Sequence, residues 1–307
     1  MMNMPLVSVI MSVYNETELI LRAAIESILE QTFTDFEFII VMDSPENETN
    51  KKILSEYSKL DERICLLFNE KNEGLTFSLN KALENAKGKY VARMDADDVS
   101  LANRLEVQRN FLEQNNLDFI GGYVQTITEN DEILNKCVKV PVLDIDIRKK
   151  IKINSCVFHP TWFLRKSIFD DIGNYKTQYV EDYEFLLKTM QKNYKLGNIP
   201  QIVLKYRITT NSVSRSSLFE QYLRMRYLQK KYFSKCKVNI LSIEEFTSKY
   251  YSNKRAEKFS VSNKFFTLAM KDLYKKQYFS ALIKLTVAFL NSRFYAYKML
   301  RYLSSFR

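Results

Sequence analysis

The 307-residue chain is long enough for one large domain or two, and its 46% hydrophobic content is ordinary for a globular protein. Four scattered cysteines without a C-x-x-C, and a single histidine, His159, exclude zinc-ligand spacing and read as free buried thiols in a reducing compartment. The net charge of +10 is unevenly divided: residues 1–214 hold 26 Lys/Arg and 31 Asp/Glu, and Arg215–Arg307 holds 20 and 5, so an acidic body of net −5 precedes a basic, aromatic-rich tail of net +15 that suits an anionic surface, a membrane or a nucleic acid.

The first residues lack a basic leader and a cleavage-like site, so they read as a strand start and not as a signal peptide. No stretch reaches transmembrane length. Leu6–Val13 is a continuous apolar run, as in a strand covered on both faces. Asn15 with Glu18 three residues on predicts a capping box and a helix over Glu16–Glu30. Phe36–Met42 is a second strand ending in Asp43, and a polar helix covers Glu46–Leu60. A third strand spans Arg63–Phe68, and a helix runs from the Asn72-Glu-Gly74 turn to Ala86. Tyr90–Met94 is a fourth strand.

Three carboxylates, Asp95, Asp97 and Asp98, fall within four positions at the end of that strand. Like charges so close need a cation, and carboxylate oxygens suit hard divalent ions. The other reading is a turn in which Asp98 or Ser100 caps a helix starting at Leu101. Strands alternating with helices predict βαβ units and a parallel sheet, whose ligands bind beyond the carboxyl ends of the strands. With the order 3-2-1-4, Tyr14, Glu16, Asp43 and the three acids share one edge. There is no G-x-G-x-x-G and no phosphate-binding G-x-x-x-x-G-K-[ST]. A carboxylate-bound divalent cation, Mn²⁺ or Mg²⁺, is another way to hold a diphosphate.

Farther along, Asp118–Val140 reads as two strands, Asp144–Ile153 as a short helix, and Val157–Leu164 as a strand holding His159 and the only tryptophan. Glu181 and Asp182 lead a helix, where acids suit the dipole. Ile199–Arg207 is the last strand, followed by a hydroxyl-rich loop with Arg215. Helices are expected over Leu218–Phe233, Ile243–Phe259, Lys264–Lys275, Tyr278–Asn291 and Phe294–Phe306. Their interleaved aromatic and basic residues suit docking on an anionic membrane surface or a basic solvent face.

Pro5–Glu16, Ser27–Phe33, Phe38–Asp43, Asn72-Glu-Gly74 with Ser78–Ala82, Gly88–Asp98, His159-Pro160 and Glu181-Asp182 stand in the order seen in glycosyltransferase family 2. The chain resembles a bacterial member that builds capsule, lipopolysaccharide or other surface glycans. The resemblance covers residues 5–215. It implies a GT-A fold, an α/β Rossmann-like, mostly parallel sheet flanked by helices over 1–215, with a basic helical region over 216–307. It implies an inverting, metal-dependent transfer from a nucleotide-sugar, a UDP-sugar, to a hydroxyl of a glycan or lipid-linked acceptor.

By resemblance, Tyr14 and Glu16, with Val13, hold the nucleoside, and Asp43 reads the uracil. Asp95 and Asp97, with Ala96 between them, form the D-x-D pair on ribose, diphosphate and metal, and Asp98 stands beside them. Asn80 lies in a donor-binding segment, although Leu79 stands where many relatives carry arginine. Asp182 is the catalytic base. His159 is a further donor-site candidate, and Glu181 and Arg215 are further site candidates. The implied location is cytoplasmic, peripheral on the inner face of the membrane, with no nucleic-acid partner. A sugar-nucleotide nucleotidyltransferase and a non-catalytic nucleic-acid or membrane binder are the alternatives. The first would be expected to show a basic glycine-rich loop where this chain has Tyr14-Asn15-Glu16.

Overall fold

A computed structural model describes residues 4–209, 217–233 and 242–304. It divides into two compact units, one of residues 1–151 with 155–209, the other of residues 152–154 with 210–307. The first is α/β. Its elements are β1 (Val7–Val13), α1 (Glu18–Leu29), β2 (Phe36–Met42), α2 (Glu48–Leu60), β3 (Ile64–Phe68), α3 (Leu75–Asn85), β4 (Tyr90–Asp95), β5 (Val99–Ser100) and α4 (Arg104–Gln114). After them come β6 (Phe119–Ile127), β7 (Ile133–Val138), α5 (Asp144–Lys150), a 3₁₀ turn (His159–Thr161), β8 (Phe163–Arg165), α6 (Ser167–Ile172), α7 (Glu181–Gln191) and β9 (Leu196–Arg207).

The sheet order is β3-β2-β1-β4-β8-β6-β9-β5, with β7 on β6. The expected 3-2-1-4 half is parallel throughout. Beyond β4 the sheet is mixed: β8 runs antiparallel to both β4 and β6, and β6 and β9 are parallel. The apolar run of β1 is buried between layers, and α1 sets Leu21, Ala24, Ile25 and Ile28 against it at i, i+3, i+4, i+7. The leucine and the two isoleucines each contribute about 1.5–3 kcal/mol on burial. Gly88 lets β4 enter beside β1, because a Cβ there would stand 2.6 Å from the Ser8 nitrogen.

Several expectations change. The helix after β1 starts at Glu18, with Thr17 as N-cap and no side-chain cap bond. Asn15 instead accepts from the Asn47 side chain at 3.1 Å. Residues 157–164 are not one strand. Pro160 has no N–H for a ladder, the chain turns at His159–Thr161, and only Phe163–Arg165 pairs. Neither Asp98 nor Ser100 caps a helix: Val99 and Ser100 pair with Lys205 and Leu204, and α4 begins at Arg104 after Asn103. Cys156 is buried, but Cys137 is exposed.

The second unit is helical: α8 (Leu218–Phe233), α9 (Ile243–Tyr250), α10 (Asn253–Tyr274), α11 (Tyr278–Asn291) and α12 (Arg293–Ser304). The expected Ile243–Phe259 helix breaks at Tyr251, and Ser252 caps a single long α10 that takes in both Phe259 and Lys264. Phe259 is at the centre of its core, with ring centroids 5.2, 4.9 and 5.1 Å from those of Phe219, Tyr222 and Tyr295. Among the described residues no helix is long and apolar enough to cross a membrane.

Candidate functional site

The parallel register brings the ends of β1, β2 and β4 to one edge. Ser12 stands opposite Asp95, and Val13 opposite Met42. Just beyond, the Asp43 N–H donates to the Val13 carbonyl at 2.7 Å. Tyr14 is exposed, and its N–H donates to the Glu16 carboxylate at 2.9 Å. Asp43 is buried and accepts from the Asn69 side chain at 2.6 Å and from the Glu73 and Gly74 N–H groups at 2.9 Å each. The loop before α3 is thus wrapped around that carboxylate. Gly74, at φ +88°, makes the turn that a side chain would strain.

At the end of β4, Asp95, Asp97 and Asp98 can present one oxygen each within 4.8 Å of one another. The turn between them, through the buried Ala96, is held from afar by Arg207 of β9. The Arg207 N–H donates to Asp98 Oδ1 at 2.7 Å, and its Nε donates to the Asp97 carbonyl at 2.7 Å. Its Nη1 reaches the Thr128 carbonyl at 3.0 Å and ion-pairs with Asp131 at 2.8 Å. Arg104, fully buried, supports the turn from below by donating to the Arg93 carbonyl at 2.7 Å and to Ser100 Oγ at 3.0 Å.

The electrostatics are those of crowded, buried acids. Burial, with the charges of Asp95 and Glu16, pushes the Asp97 carboxyl up to about 7. Burial, with Asp97 and Asp95, raises Asp98 well above the carboxylate range. Glu16 is raised too, by burial and then by Asp95. Asp98 Oδ2 is buried and has no hydrogen-bond partner in the protein. Three convergent carboxylates, two of them uncomfortable as anions and one with an orphaned oxygen, fit a hard divalent cation such as Mn²⁺ or Mg²⁺.

A second acidic pair stands at the N-terminus of α7. Burial and the neighbouring Asp182 push Glu181 up to about 7, and burial also raises Asp182. The Asp95 charge contributes to both shifts, and the Arg93 charge opposes both. The two acidic clusters therefore feel one another and one shared cation.

His159 stands on an aromatic floor of Trp162 and Tyr175. Its ring centroid is 4.4 Å from Trp162, and its Nε2 is 3.1 Å from the Tyr175 hydroxyl. Burial, then the Arg93 charge, pushes the imidazole well below its ordinary range, so it is neutral. Asn80 is engaged with this wall: its amide exchanges two hydrogen bonds with the Tyr175 backbone, at 2.9 and 3.0 Å. Arg215 lies outside the described residues.

Sequence reasoning missed Arg93, Arg104, Arg207 and Tyr175. A signal existed for the first, since a charged residue inside the apolar run Tyr90–Met94 needs a buried partner. None existed for Arg207, which meets Asp98 across 109 residues of chain.

Residues 8–173 match the family model described as Glycosyl transferase family 2. The chain is 36% identical over 241 residues to an uncharacterized glycosyltransferase, MJ1057, of Methanocaldococcus jannaschii, covering 76% of this chain and 83% of that one. It is 34% identical to the O-antigen biosynthesis glycosyltransferase WbnJ of Escherichia coli, over 69% of this chain and 84% of that one. It is 32% identical to the UDP-Glc:alpha-D-GlcNAc-diphosphoundecaprenol beta-1,3-glucosyltransferase WfgD of Escherichia coli, over 70% and 82%. Among solved structures, the mannosyltransferase PcManGT of Pyrobaculum calidifontis, in complex with GDP-Man and Mn²⁺, superposes with a TM-score of 0.60 at 16% identity, over 94% of this chain and 86% of that one.

Proposed function

The chain belongs to glycosyltransferase family 2 and has its GT-A fold, and from that premise we propose an inverting transfer of a sugar from a UDP-sugar to a hydroxyl of a glycan or lipid-linked acceptor, in bacterial surface-polysaccharide synthesis. The observation that carries this reading is the electrostatic pairing of two largely buried acidic clusters, Asp95-Asp97-Asp98 after β4 and Glu181-Asp182 at the start of α7. The first suits the donor's diphosphate and the second a base. The named activities of the O-antigen and diphosphoundecaprenol relatives support the substrate classes. Family membership sets aside the nucleotidyltransferase alternative.

In this reading residues 1–215 are the catalytic domain. Tyr14, Val13 and Glu16 line the nucleoside end, and Asp43 faces the uracil with the one oxygen, Oδ2, that accepts a single internal bond. Asp95 and Asp97, with Asp98 beside them, would hold Mn²⁺ or Mg²⁺, which when bound supplies Lewis-acid stabilisation of the departing diphosphate. Asp182 takes the proton of the acceptor hydroxyl as that oxygen bonds to the anomeric carbon, and the bond from that carbon to the diphosphate oxygen breaks. Attack from the face opposite the leaving group inverts the anomeric centre. Burial keeps the pair's proton affinity high, and Tyr175, hydrogen-bonded to the neutral His159, stands within reach of both charges.

The basic helical region, residues 216–307, is proposed to dock on an anionic membrane. Along α11, Tyr278, Phe279, Leu282, Ile283 and Leu290 are exposed on one face, at i, i+1, i+4, i+5 and i+12. That helix has no acidic residue, and Lys275 and Lys276 precede it. An apolar, aromatic stripe with a basic edge suits lipid headgroups. The enzyme is then cytoplasmic and peripheral.

The test is a donor screen with the purified chain and Mn²⁺: UDP-glucose, UDP-galactose and their N-acetylated forms, reading UDP release with a lipid-linked acceptor. Release from one donor, abolished by EDTA and restored by Mn²⁺, is the expected result. Turnover unaffected by EDTA would overturn the metal assignment.

A further inference from the structure

Among the described residues of this site, Arg93 has buried side-chain donors that the protein leaves open. It lies on β4 two residues before Asp95, so strand alternation puts both side chains on the same face. Its Nη2 is ion-paired with Asp95, and its side chain is 3% exposed. Its Nε and Nη1 are buried and have no hydrogen-bond partner in the protein. Arginine carries its charge at any working pH, and a buried guanidinium N–H without an acceptor is costly, so these groups point to an acceptor that arrives with a ligand.

Position says which part of the ligand. On one side Arg93 holds Asp95 of the diphosphate cluster. On the other its backbone N–H bonds the Trp162 carbonyl at 3.0 Å, and Trp162 carries the His159 and Tyr175 rings. Its charge reaches Glu181 and Asp182 as well as Asp97 and Asp98. On the reading given above, which this inference rests on, the diphosphate lies at one cluster and the base at the other. What lies between a leaving diphosphate and the base is the sugar being transferred.

We propose that Arg93 is a donor-sugar contact: Nη2 stays on Asp95, and Nε and Nη1 donate to hydroxyl oxygens of the transferred hexose. The fork geometry matters, because a lysine could keep the charge beside Asp95 but not the two further directed bonds. Arg93 thereby ties the orientation of the sugar to the acid that holds the diphosphate.

The experiment compares UDP with UDP-sugar affinity by calorimetry, in Mn²⁺, for the wild-type chain, Arg93→Lys and Arg93→Met, using the donor that the wild type turns over. The expected result is a UDP affinity within about twofold of wild type for Arg93→Lys, with UDP-sugar affinity weakened about tenfold or more, as for loss of a hydrogen bond from a charged donor. UDP affinity also serves as the folding control, and Arg93→Lys keeps the test valid if Arg93→Met does not fold. Equal losses for UDP and UDP-sugar would overturn the proposal in favour of a diphosphate contact or a structural role, and so would no loss at all. If the wild type binds no UDP-, GDP- or dTDP-sugar, the glycosyltransfer reading falls and this inference with it. If it binds and transfers normally while the two affinities move together, the Arg93 assignment alone is wrong.

Discussion

The two units of the chain treat burial in opposite ways. In the α/β unit the buried set includes Arg93, Arg104, Arg207, Asp98 and Glu181, charges that are expensive to take out of water unless paired. In the helical unit the core is a stack of rings, Phe219, Tyr222, Phe259 and Tyr295. Its one buried charge among the described residues, Asp272, is matched by Lys284 and Ser280. The helical unit instead places large apolar groups outside, such as Phe279 at 79% and Leu290 at 76% exposure. The difference teaches where to look for work. Mismatched buried charge marks chemistry in the first unit, and mismatched exposed apolar surface marks an interface in the second.

That contrast can be broken at its strongest point by Asp182→Asn. Loss of a general base should cut turnover about 10²–10⁴-fold while donor affinity holds. Near-normal UDP release would remove Asp182 from the role and leave Glu181 as the remaining candidate. Next in size is Phe259→Ala in the helical core, expected to cost about 3–5 kcal/mol. If the units are separate cooperative bodies, urea unfolding should show an early transition for the helical unit and an unchanged one for the α/β unit. A single shifted transition would merge them.

The pH profile sharpens the first half of the comparison. Burial raises Glu181 to about 7 and raises Asp182 as well, which favours their protonated forms. The base is therefore lost as pH falls, not as it rises. The acid limb of kcat/KM should begin above the ordinary carboxylate range and fall about tenfold per unit as pH drops further. A profile that stays flat down to pH 5 would mean that the pair ionises as ordinary surface acids. The smallest effect is expected on the exposed face: Phe279→Glu with Leu290→Glu should weaken cosedimentation with phosphatidylglycerol-containing vesicles about tenfold, by removing apolar contact and adding repulsion. Unchanged cosedimentation would leave that stripe to another partner.

Much of the first unit was legible because its information is local. The continuous apolar run of β1, the strand-like runs of β2 and β4, the period of α1 and α3, and the acids at the strand ends are all patterns within a dozen residues. The order 3-2-1-4 entered as a premise of the doubly wound pattern, and the structure has it. Pattern failed where a single residue vetoed it: Pro160 broke the expected strand, and the pairing of Val99 with Lys205 overrode the helix cap at Asp98. Asn80, grouped with the donor residues by resemblance, has its amide engaged with the Tyr175 backbone.

The sequence by itself determined that an acid triplet ends the fourth strand, that Glu181 and Asp182 begin a helix, and that the tail is basic, aromatic and helical. Periodicity and charge count are properties of neighbours along the chain, so they survive without a fold. Only the tertiary structure decided that Arg207 clamps the Asp97-Asp98 turn, that the two acidic clusters share the field of Arg93, and that Arg93 keeps two donors open. Those facts depend on distances between residues tens to a hundred positions apart, and on a burial that strips water from charges. Neither quantity is written in any local stretch.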